Sequence, residues 1–124
     1  MEWSQFNKKL TDLGYSENDR SFTERAFVFA QKAHEGQKRV SGEPYFSHVA
    51  AVAAEVAELK LDTATIAASL LHDTQEDCGG ATKELETRFG AEVAFLVEGV
   101  TKLSKVRYRG LQRKIESLRK MFLA

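Results

Sequence analysis

This chain predicts an all-α fold, and three observations carry that expectation. Apolar residues recur at three- and four-residue intervals through most of its length. No segment alternates β-branched and polar residues as a half-buried strand does. Pro44 is the only proline, so little interrupts the helical runs. The 124 residues suit one domain with a single core.

Taken in order, Trp3, Phe6, Leu10 and Leu13 fall on one helical face, predicting a short helix over residues 2–13 that closes near Gly14. Ser21 followed by Glu24 has the form of a capping box, opening a second helix through Ala26, Phe27, Ala30 and Ala33. That helix ends at His34 or Glu35, before Gly36. The next stretch, G-Q-K-R-V-S-G-E-P-Y, holds glycines, the proline and two basic side chains, and reads as a loop. A third helix spans about Tyr45 to Leu59, with Val49, Val52, Ala53 and Val56 towards the core. Asp62 or Thr63 caps a fourth, whose apolar residues are Ile66, Ala67, Leu70 and Leu71. Thr82 caps a fifth that stops at Gly90, and Glu92 to Val100 is helical by the spacing of Val93, Leu96, Val97 and Val100. After the basic stretch from Lys102 to Arg109, a last helix begins near Leu111 and carries Ile115, Leu118, Met121 and Phe122. The sequence stops in that helical pattern without a cap, which reads as a truncated domain whose exposed end invites self-association.

Composition narrows the function classes. The 18 basic and 18 acidic residues cancel, so no global field points to nucleic acid or a membrane surface. No apolar run approaches a membrane span, and the first residues lack the apolar stretch of a signal peptide. Cys78 is the only cysteine, which rules out an internal disulfide and fits a cytoplasmic protein.

Chemistry concentrates where the fourth helix ends, in L-L-H-D-T-Q-E-D-C over residues 70–78. Helical positions four apart share a face, so His72 would lie above Glu76 and Asp73 above Asp77. A lone His-Asp pair is more often a solvated helix end. Here, however, the pair follows a run of core residues, where unpaired carboxylates are costly and a divalent cation removes that cost. His48, at the start of the preceding helix, is the natural third donor, and such a mixed nitrogen–oxygen set suits a transition metal. Glu76 and Asp77 would then orient or deprotonate a water made acidic by the ion. In the loop, Lys38 and Arg39 offer charge to a phosphate, Arg39 can stack on a flat base, and Gly42 permits close backbone approach. His34 carries a weaker signal, since a cation at a helix C-terminus is favourable on dipole grounds alone.

Four ordered segments carry a resemblance. H-E-G-Q-K-R-V-S-G-E-P-Y-F-S-H (34–48), L-L-H-D-T-Q-E-D (70–77), F-G-A-E-V-A-F-L-V-E-G-V-T-K-L-S (89–104) and L-R-K-M-F-L-A (118–124) resemble the N-terminal HD hydrolase domain of the RelA/SpoT homologues. The likeness runs from Phe22 to the end of the chain. It implies an all-α HD fold, here a single partial domain over residues 1–124 without synthetase or regulatory domains. It further implies a bound manganese ion and removal of the 3′-pyrophosphate from the stringent-response alarmones (p)ppGpp. By motif, His48, His72 and Asp73 correspond to three metal ligands, and Glu76 and Asp77 to the pair serving the hydrolytic water. Arg39 matches the arginine packed on guanine, and Ser41 lies in the same nucleotide-binding loop.

The chain departs from the family pattern at several points. Val40 stands where a lysine is common, Val49 replaces a proline after the first metal histidine, and Gln75 and Cys78 alter the second motif. The family's fourth ligand is an aspartate in an L-A-D-R-x-H-N-M-like segment that follows L-R-K-M-F-L-A, past residue 124. Three ligands hold an ion less firmly, so slow or absent hydrolysis is expected of these residues alone. Two other readings remain open: an HD phosphohydrolase for another nucleotide, and a non-catalytic alarmone-binding module.

Overall fold

A computed structural model describes residues 1–72, 74 and 82–105. Asp73, residues 75–81 and residues 106–124, with the last of the expected helices, lie outside that description. Among the described residues six helices follow in order: α1 (Trp3–Asp12), α2 (Glu17–Ala33), α3 (Tyr45–Glu58), α4 (Thr63–Leu71), α5 (Thr82–Phe89) and α6 (Ala91–Lys105). Among the described residues the only β-type pairing is an isolated bridge between Lys38 and Pro44. The all-α expectation holds.

Local signals explain most helix ends. Gln5 Oε1 accepts from the Glu2 backbone N–H at 3.0 Å and ties down the start of α1. At its other end Gly14 adopts φ +92°. Its N–H donates to Thr11 O at 3.1 Å while Tyr15 N donates to Leu10 O at 3.0 Å, closing two otherwise orphaned carbonyls. One expected boundary was wrong. α2 begins at Glu17, capped by the Ser16 hydroxyl, which accepts from Asp19 N at 3.1 Å. The Ser21–Glu24 pair therefore lies inside a helix already under way. α6 likewise runs past Val100 into the basic stretch, to Lys105, since lysine propagates a helix readily.

α4 organises the packing. Ile66, Ala67, Ala68, Ser69, Leu70 and Leu71 are all buried, so this helix has no solvent stripe and must be enclosed. It packs against α2, α3 and α6. Alanines supply the close approach on α3, where Ala50, Ala53, Ala54 and Ala57 are buried. Aromatic rings fill the wider gap beside α1: Phe6 and Phe27 lie 5.4 Å apart and Phe27 meets Phe46 edge-on at 4.9 Å. Fully burying such side chains contributes about 1.5–3 kcal/mol each. α5 is fastened to α2 by arginine–aromatic contacts. Arg25 of α2 lies over Phe89 at 5.5 Å, and Arg88 of α5 over Phe29 at 5.4 Å. No helix among the described residues is long and apolar enough to cross a membrane.

Candidate metal centre and the neighbouring hairpin

His72 follows directly on α4 and is 6% exposed. Its Nδ1 lies 2.8 Å from Ser69 O. A carbonyl oxygen only accepts, so Nδ1 carries the hydrogen and the lone pair belongs to Nε2. A histidine held this way by a backbone carbonyl presents a single ring nitrogen to a cation, as metal-ligating histidines usually do. The buried end of α4 thus fixes the tautomer of this histidine.

His48 sits in the first turn of α3 and is half-buried. The short connection from Leu59 to Asp62 turns the chain back between α3 and α4, which pack together. Helices joined by so short a loop run antiparallel, so the start of α3 and the end of α4 belong to the same end of the pair. Asp73, Glu76 and Asp77 lie outside the described residues. Among the described residues no three histidine, cysteine or carboxylate side chains gather, and Asp73, a member of the expected set, lies outside them.

The loop between α2 and α3 is more ordered than its composition suggested. Gly42 N donates to Arg39 O at 2.8 Å and Arg39 N donates to Glu43 O at 2.8 Å. With Gly42 at φ +91°, this is a three-residue hairpin turn whose last position needs a left-handed backbone. Residues 38 and 44 pair below it. Arg39, Val40 and Ser41 are exposed at its tip, with their side chains free to meet a ligand.

Sequence reasoning under-read His34. It caps the C-terminus of α2, as expected, but only 2% of it is exposed, which is not how a helix-end cation usually sits. Its ring lies 5.0 Å from that of Tyr45, which in turn lies 6.2 Å from the His48 ring. A cavity of ≈ 620 Å³ runs beside it, bordered by Gly36, Gln37, Lys38, Pro44 and Ser47 on the hairpin side. The H-x-G-Q spacing was the available signal, because it lets a helix-capping histidine reach the glutamine three residues on.

Comparison with known proteins decides the family. The family model described as HD domain matches residues 26–124. The chain belongs to the HD-domain family. Within it, this HD domain is 48% identical over 101 residues to a guanosine-3′,5′-bis(diphosphate) 3′-pyrophosphohydrolase of Vibrio cholerae, covering 81% of this chain. It is equally similar, 48% over 101 residues, to the bifunctional (p)ppGpp synthase/hydrolase SpoT of Escherichia coli. A pyrophosphohydrolase of the same description from Aquifex aeolicus is 50% identical over 101 residues and 82% of this chain. The chain spans only 14% of the length of each of these relatives.

Proposed function

We propose that this chain supplies the metal-dependent hydrolase centre that removes the 3′-pyrophosphate of (p)ppGpp, giving GDP or GTP. The observation that supports the reading is the contact of His72 Nδ1 with Ser69 O at the buried end of α4, the kind of backbone hydrogen bond that metal-ligating histidines usually make through the ring nitrogen that does not ligate. The names of the similar proteins support the substrate class.

In this reading, His48 and His72 offer imidazole nitrogens and Asp73 a carboxylate, a mixed set that suits a divalent transition metal, with manganese the ion that the family resemblance implies. The ion, when bound, acidifies water and offsets charge developing on the phosphate oxygens. The remaining chemistry belongs to the chain. Glu76 and Asp77 orient the attacking water and accept its proton. The water oxygen adds to the phosphorus bonded to the ribose 3′-oxygen, and that ester bond breaks. Pyrophosphate leaves, and the ribose oxygen takes up a proton. Arg39 lies against the guanine face while Ser41 donates to the nucleotide, both from the hairpin tip.

The test is pyrophosphate release from ppGpp with manganese, run on the 124 residues and on a longer polypeptide that adds the family's aspartate-bearing segment. The longer form should turn over, and its Glu76→Ala, Asp77→Ala double variant should not. The shorter form should be slower by about one to two orders of magnitude, the usual penalty for a lost ligand or supporting partner. A longer form that ignores ppGpp but cleaves another nucleotide would transfer the assignment to that substrate.

A further inference from the structure

We propose that His34 is a positioning residue that holds the Arg39–Ser41 hairpin in its nucleotide-facing form, an inference that extends the reading above. The hairpin has no helix or sheet of its own to set its angle. It is fixed at its base, and His34 makes that base. Its carbonyl accepts from Gln37 N at 3.0 Å, and its Nδ1 donates to Gln37 Oε1 at 2.8 Å. Gln37 O then accepts from Tyr45 N at 2.9 Å, joining the ascending and descending arms. The His34 ring packs against the Tyr45 ring, so both arms rest on one buried side chain.

Packing alone does not call for histidine here. Nε2 of His34 is buried with no hydrogen-bond partner among the described residues. Burying such an atom opposes folding, and a leucine or phenylalanine would fill the space without that penalty. What histidine adds is a flat ring for Tyr45 together with an N–H aimed at Gln37. Neither hydrocarbon supplies both.

Three variants of the parent protein separate this role from general damage. His34→Phe keeps a ring beside Tyr45 and removes the donor. His34→Asn places an amide N–H where Nδ1 stood and removes the ring, while Gln37→Leu removes the acceptor. Amide hydrogen exchange at Arg39 and Gly42 reports the hairpin, and calorimetry reports GDP affinity and manganese affinity. His34→Phe and Gln37→Leu should each speed hairpin exchange and weaken GDP binding about two- to tenfold, the worth of one hydrogen bond. Both should leave manganese affinity unchanged. His34→Asn, which keeps the donor and loses the ring, should recover part of the hairpin protection that His34→Phe loses.

Hairpin exchange that is unmoved in both His34→Phe and Gln37→Leu overturns the proposal. So does exchange that rises equally across the whole domain, which a purely structural histidine would produce. Hairpin exchange that responds as described, in a parent that binds neither GDP nor manganese, would sustain the role of His34 and sink the alarmone reading.

Discussion

Between Ser69 and His72 one backbone carbonyl sets which ring nitrogen carries the hydrogen, and that choice needs no metal to be made. Arg39 is the contrasting case, an exposed side chain at a hairpin tip with little structural work to do. Replacing it with alanine should leave the urea midpoint within about 0.5 kcal/mol of the parent, as surface substitutions usually do. Guanine-nucleotide affinity should drop by about 0.5–2 kcal/mol, the range of a guanidinium on an aromatic face. Unchanged affinity for ppGpp in a titration would return the hairpin arginine to a solvated role. His48, His72, Arg39 and Ser41 were all legible as candidates, because each stands in a local pattern of residue types. The burial of His34 was not legible. It depends on Tyr45 folding back over it from the far arm of the hairpin, and helix-end spacing gives no sign of that.

At the scale of elements, helix interiors were easier to read than helix starts. Apolar spacing is set by what each face buries, so α3 and α4 emerge directly from their alanines, valines and leucines. Capping signals are short and recur by chance, and the capping-box pattern at Ser21 draws the expected boundary away from Ser16. The geometry separates them, since only Ser16 accepts from an amide of the first turn, with Glu17 and Asp19 adding favourable charge there. Ser16→Ala should therefore destabilise the domain by about 1 kcal/mol in urea unfolding. Ser21→Ala, at an exposed site within the helix, should be neutral or slightly stabilising, because alanine is the better helix former. The reverse order of effects would move the start of α2 back to where the sequence pattern suggested it.

For the molecule as a whole, the turn between α1 and α2 meets the far end of the α3–α4 pair through the Tyr15 phenol. The Tyr15 hydroxyl donates to Leu61 O at 2.7 Å and to Ala57 O at 3.3 Å. Burial raises its pKa above the ordinary 10.0, and the nearby carboxylates of Asp19 and Asp62 push in the same direction. The sign of the pH effect follows from linkage. Below pH 10 the phenol is protonated in both folded and unfolded chains, and its contribution is fully present. As pH rises past that value the unfolded chain loses the proton first, so the folded state holds more protons and stability falls. The hydroxyl has nothing to donate once ionised, and a phenolate facing two carbonyl oxygens and two carboxylates is repelled. Tyr15→Phe removes this dependence along with the hydrogen bonds. At about pH 8 the variant should be less stable by about 0.5–1.5 kcal/mol. That gap should narrow steadily above pH 10 as the parent loses its advantage. Urea midpoints of both proteins across that range provide the measurement, and the difference between them cancels the lysines and other tyrosines that titrate alongside. A gap that stays constant into strong alkali would mean Tyr15 contributes through its ring packing, and that its hydroxyl does not join these helices.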